Sequence, residues 1–233
     1  MLAIMRREFK AYFTSPIGYI VVAAFYLMSG IFYSQLVAYG YADMRNLFGS
    51  MYTVIMFLIP VLTMRLMSED KKIKTDQILL TSPVTITGIV LGKYFAALLV
   101  YLIATLATVV QCVVVALFAV PEWGVLFTNY IGMLLLGATF IAIGMFISSL
   151  TENQIVAAIG SIAVAILVTV ADSIVPKISV KFLESFLSDA TFSMRYNDFM
   201  NGIMNFSNVI FFLSIVAVFL FLSGRVLEKR RWS

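Results

Sequence analysis

The sequence predicts an all-α membrane protein: six transmembrane helices, an N-terminal interfacial amphipathic helix, and a further short helix between spans two and three. Three observations carry this expectation. Of 233 residues, 62% are apolar and 12% charged, whereas soluble domains are nearer half apolar and about a quarter charged. The mean hydropathy is +1.01. The apolar residues gather in runs of about 20 or more, the length a helix needs to cross ~30 Å of hydrocarbon. In lipid every backbone polar group must be satisfied internally, which selects helices over irregular chain.

Taken in order, residues 2–13 place Leu2, Met5, Phe9 and Phe13 at helical spacing. Arg6, Arg7, Glu8 and Lys10 fill the other side, as in a helix lying flat in the membrane interface. Pro16 and Gly18 then turn the chain into its first span. A basic start followed by an apolar stretch also describes a secretion signal. The run from Ile17 to about Val37 is longer than a signal core, however, and no small-x-small pattern ends it, so it reads as a retained span. Spans are expected at 17–37, 47–67, 86–119, 125–149, 154–175 and 206–224, in one domain covering 1–233. The third run exceeds what one crossing needs and predicts tilt or a projecting turn. Pro60 predicts a kink in the second.

Six spans put both termini on one side, and the basic residues indicate which. Arg6, Arg7, Lys10, Arg65, Lys71, Lys72, Lys74, Lys93, Arg225, Lys229, Arg230 and Arg231 fall on the terminal side; Arg45, Lys177, Lys181 and Arg195 fall opposite. The acidic residues divide evenly between the two sides. Both termini are therefore expected in the cytoplasm. The formal charge of +4 belongs to this asymmetry, not to a nucleic-acid surface.

Composition also narrows the chemistry. Cys112 is the single cysteine and there is no histidine, so an intrachain disulfide is impossible and thiolate or imidazole metal sites lose their ligands. Paired carboxylates, a nucleophile with its base and a metal cage are not seen, so no catalytic residue, cofactor site or metal site is assigned. Gly88 to Gly92-Lys93-Tyr94 loosely resembles a phosphate loop, but that motif needs four residues between its glycines and Ser or Thr after Lys. The glycine pair instead suits close helix packing, with Lys93 snorkelling to the interface. Small residues at Gly132, Gly137 and Gly144, and at Ala157, Ser161 and Ala165, likewise predict closely packed helices.

Two connections are longer and more polar than turns between spans require. The inner one, Arg65 to Thr85, places Ile73, Gln77 and Leu80 on one helical face, so a short amphipathic helix ended by Ser82-Pro83 is expected. The alternative is a solvated charged loop. The outer one, Ser173 to Asn205, mixes charges with Phe182, Phe186, Phe192 and Phe199. Asp172 is the one acidic residue inside an apolar run, where a mid-bilayer charge would cost about 2.5–3.5 kcal/mol. Near the outer end it reads as an interfacial or pore-mouth carboxylate, or else as a substrate contact. Asp172, Phe192 and Phe199 are the candidates for a substrate path or outer gate. Arg195 and Asp198 are expected to pair on a helix surface.

Several motifs together resemble the ABC-2-type permeases and, within them, the gliding-motility-associated ABC permease subfamily. They include Arg7-Glu8-Phe9, Ser15-Pro16-Ile17-Gly18-Tyr19-Ile20, Phe57-Leu58-Ile59-Pro60 and Thr63-Met64-Arg65. The inner loop contributes Glu69, Thr75, Leu79-Leu80, Ser82-Pro83 and Leu91-Gly92-Lys93-Tyr94. Tyr130-Ile131-Gly132, Ser148-Ser149-Leu150-Thr151, Asn153-Gln154 and Arg230-Arg231-Trp232 follow. The resemblance implies a non-catalytic subunit of the bacterial cytoplasmic membrane, working as a homodimer beside two cytoplasmic ATPases that carry ATP and Mg. It implies that the inner loop is a coupling helix, with Glu69, Asp70, Lys71, Lys72, Lys74, Thr75, Gln77, Leu79, Leu80 and Pro83 meeting the ATPase. An accessory membrane protein with a large extracytoplasmic domain is a further implied partner, and export the implied direction. Lys74 stands where relatives carry glycine, Gln77 where they carry glutamate, and Asn201 where they often carry arginine. A secondary transporter, or an anchor for an extracellular or motility assembly, remains an alternative, and the substrate is not legible.

Overall fold

The computed structural model describes residues 1–39, 43–75, 84–174 and 191–231, and all regular structure among them is helical. The helices are α1 (Leu2–Thr14), α2 (Pro16–Ala38), α3 (Arg45–Thr63), α4 (Ser68–Lys72), α5 (Ile86–Phe118), α6 (Trp123–Leu150), α7 (Gln154–Ile174), α8 (Phe192–Met200) and α9 (Phe206–Arg231). Among the described residues six helices are long and apolar enough to cross a membrane, namely α2, α3 with its continuation into α4, α5, α6, α7 and α9. Each overlaps one of the six expected runs, the second reaching on to Lys72 and the sixth to Arg230. The third, 33 residues long, measures about 50 Å at 1.5 Å per residue.

α3 stops at Thr63, before the expected end near 67, and the chain passes through turns to α4. Pro60 gives no backbone N–H to the ladder, and the Thr63 hydroxyl takes the Ile59 carbonyl at 2.9 Å. Both effects loosen the last turn.

The corner between α1 and α2 is set by Ser15, extended at φ −94° and ψ 159°, with Pro16 opening the next helix. A Cβ on Gly18 would stand 2.6 Å from the Tyr12 carbonyl oxygen, so only glycine lets the two helices meet this closely. α1 meets the bundle with a face beside its Leu2, Met5, Phe9 and Phe13 stripe. Ile4, Glu8 and Tyr12, four apart, turn toward the protein, while Leu2 is exposed and Phe9 and Phe13 flank the contact.

α6 is the hub of the bundle. Of its most apolar 18-residue stretch 67% is buried, against 17% for α7 and α9, and α3, α5, α7, α8 and α9 all pack on it. Its glycines sit where neighbours come closest: Gly132 under Phe199, Gly137 under Tyr101 and Gly144 under Thr63. Gly92 of α5 receives Met1 and Ile4 of α1 in the same way. On α7 the Ala157, Ser161 and Ala165 row is buried, while Ile155, Val156, Ile159, Ile166, Leu167 and Val170 face outward, as lipid contact requires.

Every described ion pair joins residues that the sequence places at the same end of the bundle. Arg45 pairs with Asp43 and Glu122; Lys93 with Glu8 and Asp70; Arg230 with Glu152. Sorting charges by span has therefore sorted them correctly in space.

Candidate functional site

The basic end of the bundle holds the first candidate site. α4 follows α3 through the turn Met64–Met67, and Ser148 near the end of α6 fastens that turn. Its hydroxyl accepts the Met67 and Ser68 backbone N–H groups, each at 3.1 Å, and donates to the Met64 carbonyl at 2.9 Å. Lys71 donates to the Ser149 carbonyl, satisfying one of the orphan carbonyls at the end of α6.

Asp70 turns the other way. Its carboxylate meets Lys93 Nζ of α5 at 2.7 Å and Arg7 of α1 at 3.7 Å, and accepts the Thr75 hydroxyl at 2.8 Å. Lys93 also reaches Glu8 of α1 at 3.0 Å and the Leu66 carbonyl at 2.7 Å, and is 2% exposed. It does not snorkel to the interface, because two carboxylates and a carbonyl inside the protein satisfy it. Arg65 pairs with Glu69 at 2.7 Å and lies over the Tyr12 ring. The Tyr12 hydroxyl donates to the Leu62 carbonyl at 2.7 Å; burial holds it well above the usual phenol range, so it remains a donor. α4 is thus bound on three sides, by α1, α5 and α6.

The candidate coupling residues consequently divide. Asp70, Lys71 and Thr75 serve the inside of the site, and Glu69 is tied to Arg65. Lys72, Ile73 and Lys74 are exposed. Gln77, Leu79, Leu80 and Pro83 lie outside the described residues. The continuous helix expected from Glu69 onward is interrupted after five residues. Ile73 caps α4 and Lys74 adopts φ 59°, in the left-handed region, with its N–H on the Lys71 carbonyl. That conformation disfavours a residue with a Cβ by roughly 1–2 kcal/mol.

The opposite end holds the second candidate, α8. Asp172 of α7 accepts the Phe192 and Ser193 N–H groups at 3.2 and 2.8 Å, capping the start of α8. Asn129 of α6, its amide oriented by its acceptors, donates to the Phe199 and Met200 carbonyls at 2.6 and 3.0 Å at the other end. Gly202, at φ +80°, makes the left-handed turn that follows. Tyr196 donates to the Phe48 carbonyl of α3 at 2.8 Å. Arg195 and Asp198 share Asn208 of α9, at 2.8 and 2.9 Å, and Arg195 stacks on Phe211. Phe192 and Phe199 are buried and pack with Phe140, Phe211 and Phe212. Asp172 is therefore a helix cap, and the two phenylalanines belong to the core.

Sequence reasoning missed Glu8, Ser148 and Asn129 as site residues and misplaced Lys93. A lysine inside an apolar run was the available signal, since a buried cation requires an anion nearby. Ser148 and Asn129 carry no such mark. Among the described residues no group of three or more Cys, Asp or Glu could hold a metal ion.

A family model described as ABC-2 family transporter protein matches residues 2–232, from the start of α1 to beyond α9. The chain belongs to the ABC-2 transporter family. No curated protein matches it. As an ABC-2 protein with six apolar helices it is a multi-pass component of membrane transport. ABC-2 permeases generally partner with ATPase subunits. The clamped α4 and the capped α8 are thus two moored elements at opposite ends of an ABC-2 transmembrane domain.

Proposed function

We propose that this ABC-2 protein is the permease subunit of an ATP-driven exporter of the bacterial cytoplasmic membrane. It hydrolyses no ATP itself; two cytoplasmic ATPases bind a homodimer of it, with both termini in the cytoplasm. The observation that carries the proposal is the mounting of α4. A helix of five residues has no stability of its own, yet here it is gripped by α1, α5 and α6 while Lys72, Ile73 and Lys74 face outward. A partner pressing on those side chains moves three helices together, and a nucleotide state drives the switch only through different contacts with the alternating conformations. The motif pattern from Ser15-Pro16 to Arg230-Arg231 favours the gliding-motility-associated subfamily. Asp172, Phe192 and Phe199 then act at the outer end by holding α8 across the exit side.

Co-purification with the neighbouring ATPase tests the proposal. Wild type retains the ATPase, while Glu69→Ala and the exposed triple variant Lys72→Glu/Ile73→Ser/Lys74→Glu lose it without loss of fold. Retention by both variants, together with unchanged nucleotide-dependent conformational change, sinks the coupling role of α4. A second reading, an anchor for an extracytoplasmic assembly or accessory subunit, draws on the mooring of α8 to α3, α6, α7 and α9. Assembly without any substrate flux in reconstituted vesicles would favour it.

A further inference from the structure

At the basic end a groove of about 530 Å³ runs between the start of α5 and the end of α9. Its volume falls within the roughly 300–1,000 Å³ of small-molecule sites. Ile86, Val90 and Leu91 form one wall and Leu220 and Phe221 the other, while Thr85, Thr87, Arg225 and Glu228 line its more polar end. The groove grades from apolar to polar along both helices, because α5 runs from Leu91 back to Thr85 toward the same basic end that α9 approaches from Leu220 to Arg225.

We infer that this groove binds one anionic phospholipid, its acyl chain between α5 and α9 and its phosphate at Arg225 and Lys229. Charge complementarity selects the occupant. Arg225 gives Nη1 to Glu228 at 2.7 Å and rests on the Phe221 ring at 5.0 Å; its Nε and Nη2 have no partner among the described residues. Lys229 follows one turn later on the same face, exposed and without an ion pair among the described residues. Two cations against one carboxylate leave the mouth positive, and the N-terminus of the long α5 adds to that potential. Glu228 orients the guanidinium without neutralising the mouth. A zwitterionic lipid brings the same phosphate together with an ammonium group that a positive mouth repels, so the anionic lipid gains more there. Basic pockets between membrane helices recognise anionic head groups through this combination of cation and apolar cleft.

The test uses the permease alone, in vesicles, so its outcome is independent of ATPase binding. Val90→Trp, in a Trp123→Phe/Trp232→Phe background, reports on the groove wall through quenching by dibrominated lipid. Dibromo-phosphatidylglycerol in phosphatidylcholine vesicles is expected to quench at a several-fold lower mole fraction than dibromo-phosphatidylcholine in unbrominated phosphatidylcholine. Arg225→Gln/Lys229→Gln is expected to bring the two curves together, whereas Arg225→Lys keeps them apart, which separates lost charge from lost fold. Coincident curves in the parent protein, or a preference that survives the double substitution, would overturn the inference. Loss of the preference on adding inorganic phosphate at constant ionic strength, with chain contact retained, would reassign the mouth to a free anion and overturn it equally.

Discussion

Lys93 and Asp70 meet at 2.7 Å with the lysine almost wholly withdrawn from solvent, and they tie the segment after the second span to the start of the third. Breaking a buried pair from one side leaves an uncompensated charge, at a cost of about 3–5 kcal/mol. Lys93→Met is therefore expected to destabilise the protein by about that much, measured by unfolding in mixed micelles. Adding Asp70→Asn to Lys93→Met should restore part of the loss. Strictly additive losses would show that the pair is not coupled.

Lys74 offers a stabilising change. Its left-handed backbone favours glycine, so Lys74→Gly is expected to gain about 1 kcal/mol and Lys74→Val to lose more. The same unfolding measurement ranks the three proteins.

Ser148 accepts two N–H groups that have no helical partner. Ser148→Ala leaves both buried and unpaired, a penalty of about 1–3 kcal/mol. Hydrogen exchange at Met67 and Ser68 should accelerate while exchange at the Asp172-capped Phe192 and Ser193 amides stays unchanged. Equal acceleration at both ends would mean general loosening and would remove Ser148 as a local fastener.

Orientation is testable with single cysteines. In a Cys112→Ala background, Glu122→Cys is expected to react with a membrane-impermeant maleimide added to intact cells, and Glu152→Cys only after permeabilisation. The reverse pattern would place the basic end outside.

The six spans were legible because burial in lipid writes itself into composition: a run of apolar residues has few other uses. The sidedness of the charges was legible for a similar reason, and the ion pairs Arg45–Glu122 and Arg230–Glu152 respect it. The contacts inside each site were not. Asp172 was singled out as a costly carboxylate, but the N–H groups of Phe192 and Ser193 that stabilise it lie 20 and 21 residues away. Glu8 looked like one more charge on a wet helix face, because α1 turns its Ile4–Glu8–Tyr12 side inward and periodicity alone does not say which side a neighbour covers. Phe192 and Phe199 looked like a path because aromatic residues in a polar loop invite that reading; their packing against Phe211 and Phe212 depends on how α8 lies on α9.

The bond that the Ser68 N–H donates to the Ser148 hydroxyl spans 80 residues of chain, and this sets an order on biogenesis. At about 5–20 residues per second, α4 leaves the ribosome roughly 4–16 s before its fastener is made. Through that interval its α6 side, with Ser68 and Lys71, stays incomplete. A nascent chain stopped before the end of the fourth span would thus hold α4 by α1 and α5 alone, and a partner that recognises the finished surface would pass it by.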